Sequence, residues 1–335
     1  VSNGISLAVV GLGRAGSQYG AADRTLRIAR SHIGAAIAAG GYRINALIDP
    51  DPTRRRDAHS LWGDALEMAE DVADIREVTK RCDVVAISTG TQGRLALFRE
   101  VLKTAPKVII CEKPLADNAE EAAQIVDLCD TAEVALRVNY HRALDPSHVA
   151  LRAEARDMPV YASARINGGF ANYGSHILDV LLDWFGGASS VCAFSPSLAP
   201  IGKKASAEGD GSLSGRLQMA AGFACDLISV PGTIYDVFEL DILFSDRRLT
   251  LTNGGVEKRW GLPVNGLYYP GYVQLSDKSE PSSGVEGLEQ LYRAVAAFLE
   301  DGSVLPGCDG ARALKNAQII DAFRRSAELG CTVRL

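Results

Sequence analysis

The chain has 335 residues, 47% apolar and 23% charged, more than twice the roughly 150 residues of one domain and near average globular composition, so two folded domains are expected. Forty-one acidic residues against 35 basic ones give a net charge of -6, without the basic excess that binding nucleic acid requires. No cationic leader opens the chain, no apolar run reaches 18 residues, and the seven cysteines are scattered without a C-x-x-C pair. The expected protein is cytoplasmic, with reduced thiols, no membrane partner and no metal.

From residue 5 to about 138, short and nearly continuous apolar runs alternate with longer helical stretches, the pattern of buried parallel strands joined by helical crossovers. Strands are expected at 5–10, 43–48, 84–88, 107–111 and 134–138, and helices at 30–39, 52–62, 74–80, 95–103 and 118–131. Asn118, followed by Glu120 and Glu121, reads as a helix cap with acidic residues in the first turn.

After residue 150 the pattern changes to alternating strands at 160–166, 215–219, 224–230, 238–243 and 248–252, separated by Gly, Asp, Ser and Asn clusters. Helices are expected at 176–185, stopped by Gly186, and at 285–300 and 309–329. The stretch 196–215, rich in Ser, Gly, Pro and Ala, reads as a loop. The expected division is 1–139 and 140–335.

Directly after the first strand stands Gly11-Leu12-Gly13-Arg14-Ala15-Gly16, a G-x-G-x-x-G. Such glycines allow a tight turn and a close backbone approach to pyrophosphate at a helix start, so a dinucleotide site is expected in preference to a structural turn. Asp49 ends the second strand, where a carboxylate accepts from ribose hydroxyls; this favours NAD, with NADP as the alternative. The spacing to Asp49 exceeds the usual ~20 residues because 17–31 reads as an insertion before the helix resumes at His32. Arg54, Arg55 and Arg56 read first as a solvated helical turn and second as a 2′-phosphate site. Arg24, Arg27 and Arg30 in the insertion read likewise as a solvated basic stripe, or as a site for the diphosphate of a nucleotide sugar.

Further along come Thr89-Gly90-Thr91 and Cys111-Glu112-Lys113-Pro114-Leu115, then Asn139-Tyr140-His141-Arg142, Gly168-Gly169 and Asn172-Tyr173-Gly174-Ser175-His176-Ile177-Leu178-Asp179. With the glycine loop, this ordered set resembles the Gfo/Idh/MocA oxidoreductases, named for glucose-fructose oxidoreductase and inositol dehydrogenase, whose signature includes an E-K-P tripeptide ending a parallel strand. The resemblance implies an α/β fold: an N-terminal Rossmann domain with a doubly wound parallel sheet, then an α/β domain with a large, mainly antiparallel open sheet that often forms a homodimer or homotetramer interface.

It also implies the chemistry. Gly11, Gly13, Arg14, Ala15, Gly16, Asp49, Thr89, Glu112 and Lys113 would hold the dinucleotide, and Lys113, Tyr140, Arg142, Asn172 and His176 the substrate. Lys113 and His176 would be catalytic, Lys113 on the reacting oxygen and His176 as acid or base. The family commonly has Asp where this chain has Asn172; Asn cannot take a proton, which leaves proton transfer to His176 and Lys113. Asp179 reads as a first-turn carboxylate or as a partner fixing the His176 tautomer. His141 is a weaker candidate; His32 and His59 read as ordinary helix residues, and His148 as part of a surface-like helix. The implied activity is hydride transfer between nicotinamide and a secondary hydroxyl or ketone of a sugar, cyclitol or nucleotide-linked sugar. A redox-neutral glycoside hydrolase and a non-catalytic sensor of the same fold are the alternatives.

Overall fold

A computed structural model describes residues 4–19, 30–167, 169–194, 213–230, 233–266, 270–280 and 286–335. By packing the chain forms two compact units, Val1–His148 with Val285–Leu314 and Val149–Gly284 with Lys315–Leu335.

The first unit contains β1 (Ile5–Val10), α1 (His32–Ala39), β2 (Tyr42–Ile48), α2 (Pro52–Trp62), β3 (Glu70–Val72), β4 (Val84–Ile87), α3 (Arg94–Lys103), β5 (Val108–Cys111), α4 (Ala119–Thr131) and β6 (Ala135–Val138). After α5 (Pro146–Glu154), the second unit runs through β7 (Tyr161–Ile166), α6 (Ser175–Phe185), β8 (Ala188–Ala193), β9 (Gly215–Met219), β10 (Ala224–Ser229), β11 (Phe238–Leu243), β12 (Arg248–Thr252), β13 (Glu257–Asn265) and β14 (Val273–Glu280). The chain then returns to the first unit with α7 (Gly287–Asp301) and β15 (Cys308–Asp309), and ends with α8 (Gly310–Leu329) and β16 (Val333–Arg334).

The first sheet has the order β15-β6-β5-β4-β1-β2-β3 and is parallel except for β15. Its central strands β4 and β5 are buried throughout, as a sheet covered on both faces requires. The strand order reverses direction at β1, the switch point where doubly wound sheets open a crevice for ligands. The second sheet has the order β14-β13-β12-β11-β7-β10-β9-β8-β16, antiparallel apart from the β7–β10 pair. Its core gathers Leu178, Leu181, Leu217, Leu240, Ile242 and Phe323.

The division differs from the expected one after residue 139. Helix α7 presents Leu288, Leu291, Tyr292 and Val295 to the Rossmann core beside Ile33 and Ala36. At about 1.5–3 kcal/mol for each large apolar side chain fully buried, this face holds 285–314 to the first unit.

The helix expected at 74–80 is only a turn at Ile75–Glu77, capped by Asp74. The Glu70 carboxylate takes the backbone N–H and hydroxyl of Thr79, drawing the next residues out of a helix. The cap at Asn118 is present, accepting from Glu121 N at 2.8 Å, and removing such a cap costs about 1 kcal/mol. No described helix is long and apolar enough to cross a membrane.

Candidate active site

Three glycines shape the loop after β1, each for its own reason. Gly11 has φ +86°, a left-handed conformation that side chains disfavour. A Cβ on Gly16 would stand 1.9 Å from the Gly11 carbonyl oxygen, so the turn closes only with glycine there. A Cβ on Gly13 would meet nothing nearer than Arg54 Nη1 at 4.0 Å, which leaves this backbone open to a ligand. Arg14, exposed, and Ala15 begin the helical turn Arg14–Gln18 that follows.

Beside the loop lies a cleft of about 690 Å³, lined by Gly11, Gly13, Asp49, Arg54, Arg76 and Thr89 among others. It sits at the carboxyl ends of β1, β2 and β4, where open parallel sheets take ligands. The open face at Gly13, the free approach for a pyrophosphate and the acidic residue at the end of β2 fit a dinucleotide. Asp49 is 2% exposed. Its Oδ2 accepts from Leu12 N at 2.8 Å and its Oδ1 from Asp51 N at 2.9 Å, with Arg54 Nη1 3.5 Å from Oδ2. The carboxylate therefore ties the glycine loop to β2 as well as lining the cleft.

Lys113 is half-buried two residues beyond β5. The preceding residue, Glu112, is committed to a polar network: Asn139 Nδ2 donates to Oε1 at 2.6 Å and His32 Nε2 lies 3.2 Å from the same oxygen. His32 is fully buried, and its Nδ1 is 2.9 Å from the Tyr292 hydroxyl. Burial pushes the Glu112 carboxyl up, but the neighbouring His32 imidazole, the hydrogen bond from Asn139 and the charge of Lys113 outweigh it and hold the group below its ordinary range. Glu112 does not line the cleft described above.

Arg94, the first residue of α3, is also absent from the expected set. Its guanidinium is 1% exposed and takes main-chain carbonyls on both sides of Lys113 as well as that of Thr89. His32 carries a signal that could have found it: it is the one polar side chain in His-Ile-Gly-Ala-Ala-Ile-Ala-Ala, and such a residue on a buried helix needs a partner. Arg94 carries another, a cation at a helix start, where the dipole opposes it.

Tyr140 is buried, and Arg142 is partly exposed on the turn His141–Leu144. Burial holds the His141 imidazole well below its ordinary pKa, with the charges of Arg142, His148 and Lys113 adding to the effect. His148 is 3% exposed, a buried side chain on a helix whose other residues apart from Leu151 are exposed or partly exposed, as a surface-like helix has them. Leu151 of α5 and the following Ala155 belong to the core of the second unit.

In the second unit, His176 is the second residue of α6, partly exposed, with its ring edge-on to Phe238 at 6.5 Å. The apolar face Ile177, Leu178, Leu181 and Leu182 buries the helix, and Asn316 Nδ2 donates to the Ser175 carbonyl at 2.7 Å. The imidazole is thus carried on a rigid element. Asp179 is 1% exposed and lies beyond the first turn of α6, so it is not the first-turn carboxylate expected. Asn172 stands on the turn before the helix, where its carbonyl accepts from Ser175 Oγ at 3.3 Å. Gly168, Arg24 and Arg27 lie outside the described residues; Arg30 is exposed ahead of α1 rather than on a helix. Among the described residues no group of His, Cys, Asp and Glu has the arrangement of a metal site.

Residues 5–140 match the oxidoreductase family GFO_IDH_MocA, characterised by an NAD-binding Rossmann fold. Inositol 2-dehydrogenase from Rubrobacter xylanophilus is 32% identical over 137 residues, which are 39% of this chain and 37% of that protein. The chain thus aligns with less than half of that curated relative. Two solved structures share the fold over nearly the whole chain. The WlbA dehydrogenase from Bordetella pertussis in complex with NADH and UDP-GlcNAcA has a TM-score of 0.74 at 18% identity, covering 99% of both chains. An oxidoreductase from Agrobacterium radiobacter in complex with NAD+, L-tartaric acid and magnesium has a TM-score of 0.74 at 19% identity, covering 99% of this chain and 98% of that one.

Proposed function

We propose that the chain, whose residues 5–140 match the oxidoreductase family with an NAD-binding Rossmann fold, belongs to that family and is an NAD-dependent dehydrogenase acting on a secondary hydroxyl, or on the matching ketone, of a sugar, cyclitol or nucleotide-linked sugar. The observation that carries this reading is the position of Lys113, two residues past β5 in a sheet whose switch point holds a glycine-lined cleft.

Bound nicotinamide supplies the hydride chemistry. The protein's task is to hold the substrate and move a proton in step. The open backbone at Gly13 admits the pyrophosphate, and Asp49 accepts from the adenosine ribose while its charge opposes a 2′-phosphate, so NAD is the preferred cofactor. Lys113 donates a hydrogen bond to the reacting substrate oxygen. His176 takes the hydroxyl proton on oxidation and returns it on reduction. Tyr140, Arg142 and Asn172 are assigned to substrate. The inositol and UDP-GlcNAcA in the names of related proteins set the substrate classes to try first.

A homodimer or homotetramer is part of the same proposal. Its support is the exposure of Leu262 and Val264 on one face of the β13–β14 pair and of Val273 and Leu275 on the other, apolar surface of the kind that interaction sites cover. Sedimentation of the purified protein tests it, and a monomer at micromolar concentration would contradict it.

The activity is tested by nicotinamide absorbance with NAD and NADP in parallel against free sugars, inositols and nucleotide sugars, with cofactor binding followed by tryptophan fluorescence. A rise with one substrate class and NAD is expected. Confirmed cofactor binding with no net redox change for any alcohol or ketone would point instead to a redox-neutral hydrolase or a sensor.

A further inference from the structure

We infer that Arg94 is the positioning residue of the Lys113 loop, fixing that loop against the wall of the cofactor cleft. This rests on the role proposed for Lys113. Arg94 Nη1 donates to the carbonyl of Pro114, to that of Glu112 at 2.8 Å and to that of Leu115 at 3.4 Å. Nη2 donates to the carbonyl of Thr89. One nitrogen thus holds the backbone on both sides of Lys113, and its twin holds a residue that lines the cleft.

Three features set this side chain apart from an ordinary surface cation. It is among the largest fully buried side chains of the chain, at 1% exposure. Among the described residues no carboxylate pairs with it, so main-chain dipoles alone compensate a buried charge that is costly to desolvate. It stands at the first position of α3, where the helix dipole disfavours a cation. A guanidinium kept there against both penalties serves the segments that it joins. Its planar fork reaches several carbonyls in fixed directions, which a lysine ammonium cannot reproduce.

A loop carrying the donor to the reacting oxygen must be held closely, since a misplacement of about 1 Å costs on the order of a hundredfold in rate. Removing Arg94 is therefore expected to loosen residues 111–116 and to lower turnover without emptying the cofactor site.

The test compares the wild-type protein with Arg94→Lys and Arg94→Gln by three measurements. Amide hydrogen exchange is read over 111–116, with β1 and β4 as internal references; NADH affinity is read by fluorescence titration; and kcat and KM are measured with the substrate class that the wild-type enzyme oxidises. Exchange should quicken at 111–116 and not in β1 or β4, and NADH affinity should stay within about threefold of wild type. In Arg94→Gln, kcat should fall by roughly a hundredfold, and in Arg94→Lys by less. Unchanged exchange at 111–116, equal quickening in β1 and β4, failure of both variants to fold, or a loosened loop with unchanged kcat would each overturn the inference. The exchange measurement needs no substrate, so a wild-type protein without turnover would sink the dehydrogenase reading while exchange still decided whether Arg94 pins the loop.

Discussion

His32 Nε2 lies 3.2 Å from the Glu112 carboxylate, and the other ring nitrogen of the same imidazole is 2.9 Å from the Tyr292 hydroxyl. Three separate stretches of chain, α1, the end of β5 and α7, therefore meet in one buried polar contact beside Lys113. Replacing His32 with Leu leaves the buried Tyr292 hydroxyl without this partner, at about 1–3 kcal/mol for a buried polar group left unsatisfied, and leaves Glu112 with its bond from Asn139 alone of the two contacts. The denaturant midpoint should fall accordingly, and His32→Leu, Glu112→Leu and the double variant should be non-additive. Strict additivity in that cycle would show that the two side chains do not interact.

Asp49 serves two purposes that substitution can separate. Asp49→Asn keeps an acceptor for Leu12 N but removes the charge, whereas Asp49→Ala removes both. In titrations with each dinucleotide, Asp49→Asn should weaken NAD by about tenfold, one lost charge-assisted hydrogen bond, and weaken NADP less or improve it. Asp49→Ala should weaken both cofactors further because the glycine loop loses its tie to β2. Equal losses of NAD and NADP in Asp49→Asn would remove Asp49 from cofactor discrimination.

Stability should decrease in acid in two stages. Burial keeps the folded-state pKa of His141 well below the ordinary 6.5, so the unfolded chain binds a proton there that the folded chain refuses. This stabilisation is complete above the unfolded value and declines as pH falls below it, by up to about 1.4 kcal/mol per pH unit. Glu112 is held below the ordinary 4.5, so its contribution is present above the unfolded value and is lost as pH falls through the folded one. His141→Gln should flatten the upper stage and Glu112→Gln the lower one. A denaturant midpoint constant from about pH 8 to pH 5 would contradict the assignment of His141.

Local chemistry made the Rossmann half readable: β1 and α2 lie where the apolar runs and the Asp51-Pro52 start put them, and Asn118 caps α4 as its side chain predicts. The return of α7 to the first unit was not readable, because an amphipathic helix shows that it has an apolar face but not which core covers it. Strands β13 and β14 were not readable because β14 is exposed over 273–279 and β13 carries Gly261 and Pro263, which leaves no alternation to detect. At the candidate site, the sequence points to the glycine loop, Asp49, Lys113 and His176 as candidates, while the contacts of His32, Asn139, Arg94 and Tyr292 join distant stretches that only folding brings together.

The central claim is that Lys113 assists hydride transfer, and the most direct measurement is the rate of nicotinamide absorbance change for wild type and Lys113→Ala side by side, paired with an NADH titration of each. The account predicts that the variant loses at least about two orders of magnitude in kcat, the usual worth of a positioned acid or base, while binding NADH nearly as well as wild type. An undiminished kcat in Lys113→Ala would contradict it.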